Sequence, residues 1–352
     1  MSSCRIVVPS VLAFPRAGVT FSNQTLSSAS HKVAYAFNAQ ATTTINALGI
    51  RVGTITGTTP TYQVEIQGIG PTGLPDGTGV IGSSATFNPS ALGWTAGTFQ
   101  WLNISGVNLT RGTNYALVVR HSSGTADASN NAGFTTVPAN VPPESIANPY
   151  ILTDTGAGFT RIGSLCEPVF GYRDNTETYG NPIQAWNTGS LAASGHRAAL
   201  KVALDAAWGS TFKVRGLFIH WADTPAASTC KYGVWDAAGA EIASVTLDSD
   251  QFGWIGGRQS RIFFNSVPTL NFGTTYYYGV ERVGNWNPSQ KTIEVSNNRD
   301  LEAYPLGSGA ILATWDGSAW TDVPTQVFPM SLLFDDWSKP AVNTSYVSMI
   351  TG

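Results

Sequence analysis

The side chains that could carry chemistry are few and widely spaced. Histidine occurs at His31, His121, His196 and His220. None lies in a G-x-S-x-G context, which would present a serine nucleophile on a sharp strand-to-helix turn. His31 in S-A-S-H-K and His196 in A-S-G-H-R share a setting, and a group that recurs in matching settings serves a shared fold rather than one reaction centre. Glycoside hydrolysis needs a pair of carboxyl groups facing each other across a cleft. Glu65, Glu167, Asp236 and Glu294 sit in strand-like surroundings, but their spacing joins no pair. Asp174-Asn175-Thr176-Glu177 and Asp248-Ser249-Asp250 gather oxygen donors of the kind calcium prefers. Neither has EF-hand spacing, and Asx residues in such runs commonly close turns. Cys4, Cys166 and Cys230 form an odd set without ligand-like spacing, so neither a disulfide framework nor a zinc site is expected. Reduced structural thiols fit a chain that folds in a cytoplasm. The expectation is a non-enzyme without metal or cofactor.

Tryptophan is the residue type better suited to binding. The chain has 11, eight of them beyond residue 200. An indole face is a flat apolar surface on which the C–H groups of a sugar ring can pack, while neighbouring amides orient the hydroxyls. Trp286, between Asn285 and Asn287 in a loop-like segment, is the leading candidate for such a contact. Trp254 and Trp221 follow, with Tyr278 behind them. Trp94 stands in the repeat position of Trp254, which makes a core role the competing reading there.

These groups need a scaffold, and the scaffold repeats. FSNQTLSSASHKVAYAF from Phe21 returns as WNTGSLAASGHRAALKV from Trp186, aligning Leu26 with Leu191, His31 with His196, Lys32 with Arg197 and Ala34 with Ala199. INALGI from Ile45 resembles FKVRGL from Phe212, and Gly93-Trp94 resembles Gly253-Trp254. The clearest echo is LTRGTNYALVVR from Leu109 against LNFGTTYYYGVE from Leu270, and both copies close alike at Pro168–Asp174 and Pro329–Asp335. The boundaries that follow are an N-terminal arm 1–16, a first copy 17–174, a polar joint 175–181, a second copy 182–336 and a tail 337–352. Each copy is long enough to bury roughly two thirds of its unfolded surface and to fold alone.

Within the copies the pattern is alternation. Tyr62, Val64 and Ile66 flank Gln63 and Glu65; Tyr115, Leu117 and Val119 alternate likewise, as do Tyr232 and Val234. That period belongs to half-buried strands. Gly68–Gly82, Ser122–Gly133 and Asn285–Gln290 are rich in Gly, Pro, Asn and Ser and read as loops. Leu200–Trp208 has helical residues, but its counterpart Tyr35–Thr43 does not, so both are read as strand. The fold class expected is all-β: tandem antiparallel, jelly-roll-like sandwiches from an internal duplication.

Composition narrows the partners. Only 12% of residues are charged and the formal net charge is −3, against about 25% charged in an average domain. With no basic run, the electrostatic term that carries nucleic-acid and anionic-lipid affinity is missing. The longest apolar stretch, Ile6–Phe14, contains Pro9 and is too short to span a bilayer; it lacks the cleavage context of a signal peptide. No nucleic acid and no membrane insertion are expected. Ionised residues normally keep surfaces apart, so a sparsely charged exterior suits contact with other subunits. The first copy carries 6 basic and 7 acidic residues and the second 10 and 14, which makes the first the half expected to be covered in an assembly.

The phrase Leu-x-x-Gly-Thr-x-Tyr followed by an alternating apolar strand, at Leu109 and again at Leu270, resembles the penultimate strand of carbohydrate-binding-module-like β-sandwiches. Tandem copies beginning at the initiator Met resemble structural proteins of tailed bacteriophage particles: tail-tip and fibre components or head-decoration proteins. The resemblance implies a non-enzymatic virion component, folded in the host cytoplasm, whose partners are itself, other virion proteins and a host surface glycan. A stand-alone carbohydrate-binding adhesin and an accessory region of a polysaccharide-degrading enzyme are the alternatives.

Overall fold

In a computed structural model of the chain, the residues described are 21–39, 41–138, 150–162, 166–180, 185–204, 206–220, 229–248, 259–284, 290–295, 311–328 and 330–334. They form an all-β structure of antiparallel sheets. The one helical piece among them is the 3-10 turn Ala206–Trp208, and no described helix is long and apolar enough to cross a membrane. The chain divides into two compact units, Val19–Ala185 and one whose main body begins at Trp186.

The first unit runs through β1 (Ser22–Thr25), β2 (Lys32–Asn38), β3 (Thr43–Thr56), β4 (Thr61–Ile69), β5 (Pro75–Ser83), β6 (Thr98–Leu109) and β7 (Asn114–Ser123). It continues with β8 (Asn131–Pro138), β9 (Tyr150–Asp154), β10 (Phe159–Arg161), β11 (Cys166–Pro168), β12 (Phe170–Arg173) and β13 (Thr178–Gly180). One sheet has the order β10-β9-β2-β7-β4-β5; the other has β1-β8-β3-β12-β13, with β6 on β3 and β11 on β8. Alternate residues of both sheets meet in one core: Val33, Tyr35, Phe37, Tyr62, Val64, Ile66, Leu117 and Val119 from the first, and Ile45, Leu48, Ile50, Phe134, Phe170 and Tyr172 from the second. This is a sandwich, and each large side chain so enclosed contributes about 1.5–3 kcal/mol.

The second unit comprises β14 (Ala185–Gly189), β15 (Arg197–Ala203), β16 (Thr211–His220), β17 (Thr229–Trp235), β18 (Glu241–Asp248), β19 (Gln259–Phe263) and β20 (Thr269–Asn271). After these come β21 (Thr275–Arg282), β22 (Gln290–Glu294), β23 (Ile311–Trp315), β24 (Trp320–Val323), β25 (Gln326–Val327) and β26 (Met330–Phe334). Its larger sheet has the order β24-β23-β15-β21-β17-β18. That is the order of the first unit's β10-β9-β2-β7-β4-β5, strand for strand. Some of the remaining pairings correspond as well: β14-β22-β25 parallels β1-β8-β11, and β16 pairs β19, β20 and β26 as β3 pairs β6 and β12, while β3–β8 and β12–β13 have no counterpart among the described residues of the second unit.

The repeated Leu-x-x-Gly-Thr-x-Tyr phrase has a mechanical reading. Gly112 and Gly273 have φ of 80° and 74°, which a side chain would strain. Their N–H groups donate to Ala39 O at 2.9 Å and Leu204 O at 2.7 Å, tying the turn to the end of β2 or β15. The buried Tyr115 and Tyr276 then accept, at their hydroxyls, the N–H of Thr110 and of Asn271, each at 3.1 Å. The motif locks a turn.

Several expectations differ from the structure. Gly68–Gly82 is mostly strand rather than loop: only 70–74 turn between β4 and β5. Glycine serves a purpose there, because a Cβ at Gly82 would lie 2.2 Å from a Val107 methyl. Leu200–Trp208 is not one strand: β15 ends at Ala203 and the 3-10 turn follows. In its counterpart Tyr35–Thr43, β2 ends at Asn38 and β3 starts at Thr43. The expected joint 175–181 contains β13, paired with β12, so part of it belongs to the first unit. Of Ser122–Gly133 only 124–130 connect β7 and β8, the two ends being strand, while 285–289 lie outside the described residues.

Candidate functional site

Trp286, Asn285, Asn287, Trp254 and Trp221 lie outside the described residues. Tyr278 is described, and its place corrects the expectation: it is 0% exposed, and burial pushes its phenol well above the ordinary value. The cause is the strand period. Along β21, Tyr276, Tyr278 and Val280 point into the sandwich, while Tyr277, Gly279 and Glu281 occupy the outer face of the sheet. Of three consecutive tyrosines, the outer one is Tyr277.

That outer face carries the aromatic cluster. Trp315, at the end of β23, and Trp320, at the start of β24, are direct cross-strand partners, with ring centroids 5.2 Å apart and planes at 56°. The connecting turn is closed by Asp316 Oδ1, which accepts the N–H of Ser318 at 2.8 Å and of Ala319 at 2.9 Å. Gly317 takes φ 100° there. Trp320 is stacked on Tyr277 at 4.1 Å and 9°, and its Nε1 donates to Asp236 O at 3.2 Å. Beneath them Trp235 is fully buried and lies 6.4 Å from Trp320. Its indole N–H has no hydrogen-bond partner among the described residues. Small residues make the room: Ala199 and Ala313 form the floor. At Gly239 (φ 81°) a Cβ would lie 2.4 Å from the Trp315 ring. Trp315 and Trp320 themselves stay half-exposed.

Arg197 occupies the centre of this face. Its guanidinium sits 4.8 Å from the Trp235 ring and 5.2 Å from the Trp315 ring, donates to Gly239 O at 2.7 Å and pairs with Glu281 at 2.7 Å. Lys231 bridges Glu281 and Glu241, each at 3.1 Å, and Lys201 pairs with Asp322 at 2.6 Å. The Ser244 hydroxyl and Lys231 hold the Glu241 carboxyl below its ordinary range. Against the burial that opposes it, the carboxylates of Glu281 and Glu241 keep Lys231 protonated.

The equivalent face of the first unit is dressed differently. Register places Lys32 where Arg197 stands, Phe159 at Trp320, Asp154 at Trp315, Ala116 at Tyr277 and Gln67 at Trp235. Ala34, Ala36, Ala116, Val118 and Leu152 are fully buried there. Beside them Glu65 pairs with Arg120 and accepts the Gln67 amide at 2.9 Å, and Arg120 also donates to Gln63 at 2.6 Å. That face has aromatic rings as well, Phe159 under Lys32 at 5.6 Å and Tyr150 under Arg161 at 4.5 Å, but among the described residues the indole pair stacked on a tyrosine is found in the second unit.

The other candidates resolve into structural roles where they are described. Asp174 Oδ1 accepts the N–H of Thr176 and Glu177, each at 2.7 Å, and Oδ2 accepts the Thr43 hydroxyl at 2.6 Å. Burial works to raise this carboxyl, but those donors bring it down to about 2. Its oxygens close a turn. Among the described residues no group of three His, Cys, Asp or Glu converges as a metal site. His31 and His196 precede β2 and β15, their N–H groups donating to Ser28 O and Ala193 O at 3.0 and 3.1 Å. His121 Nε2 lies 2.9 Å from Gly124 O. Glu65 and Asp236 belong to different units. The Cys230 thiol is buried and pushed up to about 12, which makes it inert.

Trp315 and Trp320 were legible in W-D-G-S-A-W, aromatic residues flanking an Asp-Gly turn, the signature of a hairpin with a cross-strand pair. The chain matches no protein-family model, no curated protein and no solved structure.

Proposed function

We propose that the chain is a non-enzymatic structural component of a bacteriophage particle, a tail-tip, fibre or head-decoration protein that assembles with itself and with other virion proteins. The observation that carries the non-enzymatic part is the use made of the described carboxylates. Asp127, Asp154, Asp174, Asp236 and Asp316 each accept two backbone N–H groups in a turn. Glu65, Glu241, Glu281 and Asp322 pair with cations along the sheets. A general acid or base has to exchange its proton with a substrate at working pH; these groups are committed to turns and strand pairs. The assembly part draws its support from the sparsely charged exterior, with 12% of residues ionised, since depletion of charge at the centre of a patch is the compositional mark of protein interfaces.

Sedimentation velocity of the purified full chain over a wide concentration range tests the proposal. Association into a single defined oligomer as concentration rises is expected, without release of reducing sugar from polysaccharides. A monomer at every concentration, or sugar release that scales with protein, contradicts it. The adhesin reading is favoured by the aromatic face of the second unit.

A further inference from the structure

We infer that the outer face of the β24-β23-β15-β21-β17-β18 sheet is a binding platform for a neutral saccharide, with a pyranose ring seated on Trp315 and Trp320. The inference does not depend on the particle assignment. It rests first on the half-exposed indole pair, which crosses one hairpin at 5.2 Å. It rests second on preorganisation. Trp320 is fixed by stacking on Tyr277 and by its N–H on Asp236 O, and Trp315 lies against Gly239. Rings already held in place lose little freedom on binding, so stacking energy goes into affinity.

The surrounding charges select the ligand class. Among the described residues of this face, Arg197, Lys231 and Lys201 are each paired with a carboxylate, which leaves their charge already answered when an acidic sugar approaches. Asp236 and Asp316 add negative charge on the adjoining turns, which opposes one. A cationic ligand would seek the aromatic faces, but the Arg197 guanidinium already occupies the space between Trp235 and Trp315. What remains is an apolar stacking surface with the Lys201–Asp322 pair on the same side of the sheet, polar groups that exchange hydrogen bonds with hydroxyls. Neutral ring C–H faces and hydroxyl edges fit both features.

The test is an array of neutral and acidic oligosaccharides probed with the full chain, followed by calorimetric titration of the retained sugars and of choline. Retention of at least one neutral oligosaccharide is expected, with affinity falling about tenfold or more in Trp315→Ala and in Trp320→Ala. Trp320→Tyr, which keeps a ring on Tyr277, should retain most of the affinity. If Trp320→Ala fails to fold, Trp315→Ala and Trp320→Tyr carry the comparison. No neutral sugar retained, affinity unchanged in Trp315→Ala, or tighter binding of acidic sugars or choline overturns the inference. Sedimentation of the same variants separates this outcome from the assembly proposal, since their oligomeric state should match the parent chain.

Discussion

Asp174 and Asp316 hold their protons less tightly than free carboxyls do, for related reasons. At Asp174 burial is overcome by the Thr43 hydroxyl and the N–H groups of Glu177 and Thr176; at Asp316 the N–H of Ala319 leads, with Ser318 adding its hydroxyl and its own N–H, and each carboxyl titrates at about 2. Asp154 is lowered too: burial opposes the shift, but the Gly156 and Gly158 N–H groups and Lys32 prevail. A carboxyl whose folded value lies below its unfolded one stabilises the fold only while ionised. The contribution is therefore present above the unfolded value near 4 and drains away as pH falls from about 4 toward 2. Urea midpoints should be level from neutrality down to about pH 5 and drop below that. A midpoint unchanged to about pH 2 would contradict the hydrogen-bonding assigned to these turns. The candidate ligand residues show how far a sequence reaches at this scale. The choice of an outward aromatic among Tyr276, Tyr277 and Tyr278 depends on which face of β21 meets the core, and consecutive tyrosines erase the alternation that would say so.

At the scale of elements, alternation located the strands well wherever polar and apolar residues interleave, as in β4. It located β7 too, although both faces of that strand are covered. On β7, Leu117 and Val119 enter the sandwich core, while Ala116 and Val118 are buried on the opposite face. It missed β5, whose glycines mark close approach rather than a loop. The Gly-Thr-x-Tyr turn was legible in letters but not in mechanism: the hydroxyls of Tyr115 and Tyr276 accept backbone N–H groups five residues back. Each bond is worth about 1 kcal/mol. Tyr115→Phe and Tyr276→Phe should each lower stability by roughly that amount in urea titrations, through loss of the bond with the ring retained. An effect near zero in both would mean that the turn is held by Gly112 and Gly273 alone. The W-D-G-S-A-W hairpin was equally legible; attention to loop tryptophans passed over a pair presented by strands.

At the scale of the whole molecule, the six-stranded sheet has the same strand order in both units, and its outer faces differ: small aliphatic residues with a Glu65–Arg120 pair, Tyr150 and Phe159 in one, an indole and phenol cluster around Arg197 in the other. We read this as one sandwich design used for separate tasks, contact with neighbouring subunits in the first unit and ligand contact in the second. Hydrogen–deuterium exchange of the full chain, compared below and above the concentration at which it associates, tests that reading most directly. The account predicts added protection concentrated in strands of the first unit, with the Trp315–Trp320 hairpin exchanging as before. Failure to associate, or protection spread equally over both units, would contradict it.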